Sequence, residues 1–139
     1  MTGLGLVALA LSATASAQSP TFTPAQRAEG ERDVAKAGKM LADKVRDTDG
    51  AKFRNVFIQK TTGKDGTEYV QLCGEINARN GYGGMSGFHK FMLIGDQVLI
   101  GGAGQIVNAD DICGNGRGIV DTRDYTPELR KAFDANAGG

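Results

Sequence analysis

This 139-residue sequence predicts an α+β fold: an N-terminal amphipathic helix packed on a small antiparallel β-meander of about four strands, closed by a short C-terminal helix. Three observations predict it. A stripe of apolar residues at helical spacing comes first and carries its own N-cap. Four stretches of strand chemistry separated by turn residues follow, and a Thr-Pro helix start lies near the C-terminus.

Before the fold begins, residues 1–17 read as a signal peptide. Leu4 to Leu11 (LGLVALAL) is an apolar core, and Ala15-Ser16-Ala17 sets small residues at the −3 and −1 positions of a cleavage point before Gln18. The stretch from Leu4 to Ala17 is too short to cross a hydrocarbon layer of roughly 30 Å as a helix. No Lys or Arg precedes the core, so the positive charge comes from the amino terminus of Met1 or from an upstream start. Residues 18–139 then form one globular domain, periplasmic or secreted, with no stable membrane insertion after cleavage.

Thr23-Pro24-Ala25-Gln26 opens the first helix: Thr as N-cap, Pro at the first helical position, Gln three residues after the cap. Val34, Ala37, Leu41 and Val45 recur on one face, with Lys36, Lys39 and Lys44 off it, which predicts a helix from Pro24 to about Arg46. Asp47-Thr48-Asp49-Gly50 ends it. Phe53 to Lys60 is the first strand, and Thr61 to Gly66 its hairpin connection. Glu68 to Asn77 alternates, with Val70, Leu72 and Ile76 on one face and Tyr69, Gln71, Cys73 and Glu75 on the other. Phe88 to Ile94 and Gln97 to Ile100 flank Gly95-Asp96, a two-residue turn. Residues 108–124 are turn-rich, with Asp110 expected to cap a helical turn. Thr126-Pro127 caps the last helix, whose Leu129 and Phe133 lie four apart.

Composition narrows the function classes. Lys+Arg and Asp+Glu are both 16, so no net charge draws the chain to nucleic acid or acidic lipid. The 21 glycines have no three-residue period, which excludes collagen. Cys73 and Cys113 are the only cysteines, and an oxidising compartment favours a disulfide between them. The competing role, Cys73 as a nucleophile with His89, needs a thiol that stays reduced there.

Ala78 to Gly87 is long for a hairpin loop. Gly81, Gly83, Gly84 and Gly87 loosen its backbone, while Asn77, Arg79, Asn80, Tyr82 and Ser86 supply donors and acceptors beside Met85 and Phe88. That mixture suits a peptide, a glycan or a small anion, and these five polar residues are the candidate ligand-binding set. No Lys-Ser/Thr follows the glycines and no long helix succeeds them, so neither a Walker nor a Rossmann loop is present.

The run Cys73-Gly74-Glu75-Ile76-Asn77-Ala78-Arg79-Asn80, then Gly83-Gly84-Met85-Ser86-Gly87-Phe88, with Ala51-Lys52-Phe53-Arg54-Asn55-Val56 upstream, resembles a pattern in small exported bacterial proteins with no assigned activity. There, CGEVNAKN precedes GGYTGF after an SAKFRNV-like segment, and Met85 here stands where an aromatic is more usual. The resemblance covers residues 47–95 and implies export and a single domain. It supplies no catalytic residue.

Remaining chemistry is sparse. Glu75 and His89 form a conceivable acid–base pair across neighbouring strands, against an ion pair of Glu75 with Lys90 or Arg79. Ser86 has no nucleophile elbow around it. Asp110, Asp111, Asp121 and Asp124 match no EF-hand spacing, and one histidine with a bridged cysteine pair leaves too few ligands for zinc. No metal, cofactor or catalytic residue is assigned. Two functions follow from this reading: a non-enzymatic binding or envelope-associated module whose partner is a protein, peptide or glycan of the cell envelope, or a small hydrolase using Glu75 and His89 or a reduced Cys73.

Overall fold

A computed structural model describes residues 22–45, 48–78, 87–101, 109–114 and 118–137. The leader therefore lies outside the described residues. Helix α1 runs Pro24–Lys44, shorter by two residues than its apolar stripe suggested, because Val45 turns to extended backbone at the C-cap. Its start is a capping box. The Gln26 N–H donates to Thr23 Oγ1 at 3.0 Å, and the Thr23 N–H donates back to Gln26 Oε1 at 2.9 Å.

Four strands follow in a meander: β1 Lys52–Thr62, β2 Glu68–Asn77, β3 His89–Ile94 and β4 Gln97–Ile100. A fifth, β5 Ile119–Val120, was not expected from the turn-rich sequence around it. It pairs with Gln59 and Lys60 on the open edge of β1, giving the antiparallel order β4-β3-β2-β1-β5. Two residues carry no periodicity, so only the pairing reveals this strand. A four-residue helix α2, Ala109–Ile112, precedes it, and α3, Thr126–Ala137, closes the chain. Asp110 and Asp111 lie within the first turn of α2 rather than before it. Thr126 likewise stands inside α3: the Leu129 N–H bonds to the carbonyl of Tyr125, and the Thr126 hydroxyl oxygen accepts the Val56 N–H at 3.1 Å.

The helices cover one face of the sheet. Val34, Ala37 and Leu41 of α1 and Leu129 and Phe133 of α3 meet Val56, Ile58, Leu72, Ile76, Phe91 and Leu93, all buried. Burying such side chains supplies the main folding drive, about 1.5–3 kcal/mol for each. α1 and α3 approach so closely that a Cβ on Gly38 would lie 2.8 Å from backbone atoms of Ala132 and Phe133. The second face carries a smaller cluster of Cys73, Met92, Ala109 and Cys113, flanked by Phe57, Leu99 and Ile112. Here the segment 109–114 lies over the strands. The Cys73–Cys113 disulfide forms as expected and is buried.

Candidate binding site on the second face of the sheet

Glu75 is the centre of the second face. Alternation along β2 sends Val70, Leu72 and Ile76 toward the helices and Gln71, Cys73 and Glu75 the other way. Arg54 of β1 and Lys90 of β3 stand directly opposite Glu75 in the ladder. Cross-strand neighbours share a face, so the carboxylate sits between two cations.

Next to this row β1 breaks register. Arg54 faces Glu75 and Phe57 faces Cys73, which leaves Asn55 and Val56 against Gly74 alone. The extra residue is Asn55, in the left-handed region at φ 54°, a conformation asparagine tolerates better than most residues. The bulge returns Val56 and Ile58 to the helix-covered core and leaves Phe57 and Gln59 on the second face. It also aims the Asn55 carboxamide at Glu75: Nδ2 donates to Oε2 at 2.6 Å, while Arg54 Nε and Nη2 donate to Oε1 at 3.3 and 3.1 Å. The Asn55 bond holds the Glu75 carboxyl below its ordinary value of 4.5, against the opposing effect of partial burial and with help from Arg54 and Lys90. Glu75 is therefore an ionised acceptor fixed in place. The guanidinium of Arg54 also lies over the Phe88 ring, 3.9 Å from its centroid.

The segment 109–114 roofs this cluster, held by polar bonds from Lys90 and Gln59 besides the disulfide. Lys90 Nζ donates to the Cys113 carbonyl at 3.0 Å. The buried Gln59 donates from Nε2 to the Ile112 carbonyl at 3.0 Å and accepts the Gly114 N–H on Oε1, also at 3.0 Å. Between roof and sheet is a pit of about 60 Å³ lined by Asn55, Phe57, Gly74, Glu75, Lys90 and the Cys113–Gly114 turn. Asn55, Phe57 and Glu75 also border an open groove of about 680 Å³ that continues over residues 120–124.

Of the five ligand-binding candidates, Asn77 is the last residue of β2, with its Oδ1 buried and without a hydrogen-bond partner among the described residues. Arg79, Asn80, Tyr82 and Ser86 lie outside the described residues. The acid–base pair is not assembled. His89 pairs with Ile76, one residue on from Glu75, and so occupies the opposite face of the sheet. Cys73 is bridged, which leaves it no thiol. The expected ion pair of Glu75 is made instead by Arg54, at 3.1 Å. Asp121 turns to Arg27 at 3.5 Å and Asp124 to Thr126, and no group of three metal-ligating side chains occurs among the described residues. Sequence reasoning passed over Asn55 and Gln59. The signal for Asn55 is a polar residue in the aromatic and β-branched run FRNVF, where strict alternation fails. Gln59 offers no such signal, since a strand glutamine is ordinarily solvated.

No family model matches the chain, and no curated protein or solved structure matches it. No helix among the described residues is long and apolar enough to cross a membrane.

Proposed function

We propose that the protein is an exported, non-enzymatic binding module of the cell envelope, periplasmic or secreted, which recognises its partner with the second face of the sheet and the loop from Ala78 to Gly87. Export rests on the leader pattern of residues 1–17, on the resemblance carried by residues 47–95, and on the cysteine pair, a bond that persists in oxidising compartments. The observation that carries the binding reading is Asn55. A residue held at positive φ in a bulge, its side chain spent on one carboxylate beside a pit, is the kind of local strain that collects at functional sites. The chemistry around it favours binding over catalysis. Glu75 is locked to three N–H donors and ionised, which suits an acceptor and not a proton donor near neutrality.

The test is recovery of partners from envelope extract with the wild-type chain and with an Arg79→Ala, Tyr82→Ala double variant. The reading predicts partners on the first and their loss on the second. Equal recovery by both removes the loop from recognition.

A further inference from the structure

We infer that the pit under Cys113 and Gly114 accepts a peptide amide group of the bound partner, which rests on the binding reading above and names its ligand chemistry. The pit offers one anion and one cation together. A carboxylate has about four acceptor positions, and three hydrogen bonds to Glu75 occupy Oε1 twice and Oε2 once. One position on Oε2 is left. An ammonium has three N–H groups, and Lys90 gives one to the Cys113 carbonyl. Two remain. The other surfaces are the Phe57 ring, the backbone of Gly74 and the bridged Cys113.

This is an acceptor and a donor over an apolar floor. A free carboxylate would satisfy Lys90 and be repelled by Glu75, while an ammonium would meet the reverse. An amide satisfies both: its N–H donates to Glu75 Oε2, its C=O accepts from Lys90, and its methyl or methylene neighbour rests on Phe57. Size agrees. A cavity needs about 10–15 Å³ to hold one water, and the pit of about 60 Å³ exceeds that several-fold, room for a small polar group such as an acetamide unit. The flanking chain has somewhere to go, because the pit shares Asn55, Phe57 and Glu75 with the groove over residues 120–124. Among the described residues Phe57 is the one ring lining either concavity, and the paired acceptor and donor beside it match the N–H and C=O of a peptide unit.

The experiment is a titration of the full mature chain, labelled with ¹⁵N, using three probes: N-acetylalanine N-methylamide, glucose (a sugar with no amide) and acetate. The peptide amide is expected to give saturable shifts at the Gly74, Glu75 and Gly114 amides, with no comparable effect from the other two. A Lys90→Met variant that keeps its spectral dispersion is expected to bind the peptide amide at least tenfold more weakly. Absence of saturable shifts, equal shifts from acetate, or preference for the amide-free sugar would each overturn the inference. Its failure is separable from that of the binding reading, because partner loss in the Arg79 and Tyr82 variant is measured independently of the pit.

Discussion

At the scale of single residues, two carboxylates respond to their surroundings in opposite directions. Glu75 is held below its ordinary value by the Asn55 hydrogen bond, so it stabilises the fold in full above pH 4.5 and loses that effect as pH falls through its lowered folded value. Replacing Asn55 by Ala removes that bond and puts a less tolerant residue at positive φ. We expect a loss of about 1–2 kcal/mol, with the Glu75 titration, followed by NMR, moving back toward 4.5. Asp33 on α1 behaves inversely: burial, then the charge of Glu29 one turn earlier, raises it from 3.8 to about 6. The folded state prefers Asp33 protonated, so stability is lost as pH rises from 3.8 through about 6. Asp33→Asn is therefore expected to raise Tm at pH 7, by about 1 kcal/mol of stability after solvent screening, and to change little at pH 3.5. Thermal unfolding at the two pH values checks the sign.

At the scale of elements, the packing of α1 on α3 depends on one missing side chain. Gly38 faces backbone of Ala132 and Phe133, which cannot rotate away. Gly38→Ala should therefore destabilise by about 1–3 kcal/mol despite alanine's better helix propensity. Gly30 is a useful contrast, because its nearest neighbours are side-chain methyls of the buried Ile58 and not backbone. The same substitution there is expected to be milder, and urea unfolding of both variants measures the difference. The elements themselves were legible in sequence wherever a period ran long enough: α1 through Val34, Ala37 and Leu41, β2 through Leu72 and Ile76, the β3–β4 hairpin through Gly95-Asp96. The fifth strand was not, being two residues long and defined by its partner. The faces of β1 were not legible either. Its bulge at Asn55 shifts the alternation midway, so a pattern of period two does not show which residues share Glu75's face.

For the whole molecule, the two faces of the sheet have different anchors. The helices bury a continuous apolar core on one side. On the other, segment 109–114 rests on a few apolar side chains, the Gln59 and Lys90 bonds and the disulfide. In the chain-entropy model, a bridge closing 40 residues contributes about 4 kcal/mol. A Cys73→Ser, Cys113→Ser double variant is thus expected to lose on the order of 15 °C in Tm, and to expose the second face first in hydrogen exchange, at Phe57, Met92 and Leu99. The cysteine pair was readable from count and compartment alone. The candidate site was readable only in part: Glu75 and Lys90 stood out as charges on adjacent strands, but the Arg54 and Asn55 grip on Glu75 depends on a register shift that sequence pattern does not encode.

An exported binding module, as proposed, must leave the cytosol, lose its leader and end with its sulfurs joined. Mass spectrometry of the non-reduced protein isolated from its own cells tests this most directly. The expected result is a chain beginning at Gln18, resistant to alkylation, with peptides containing Cys73 and Cys113 linked. An intact precursor carrying two alkylated thiols would contradict it.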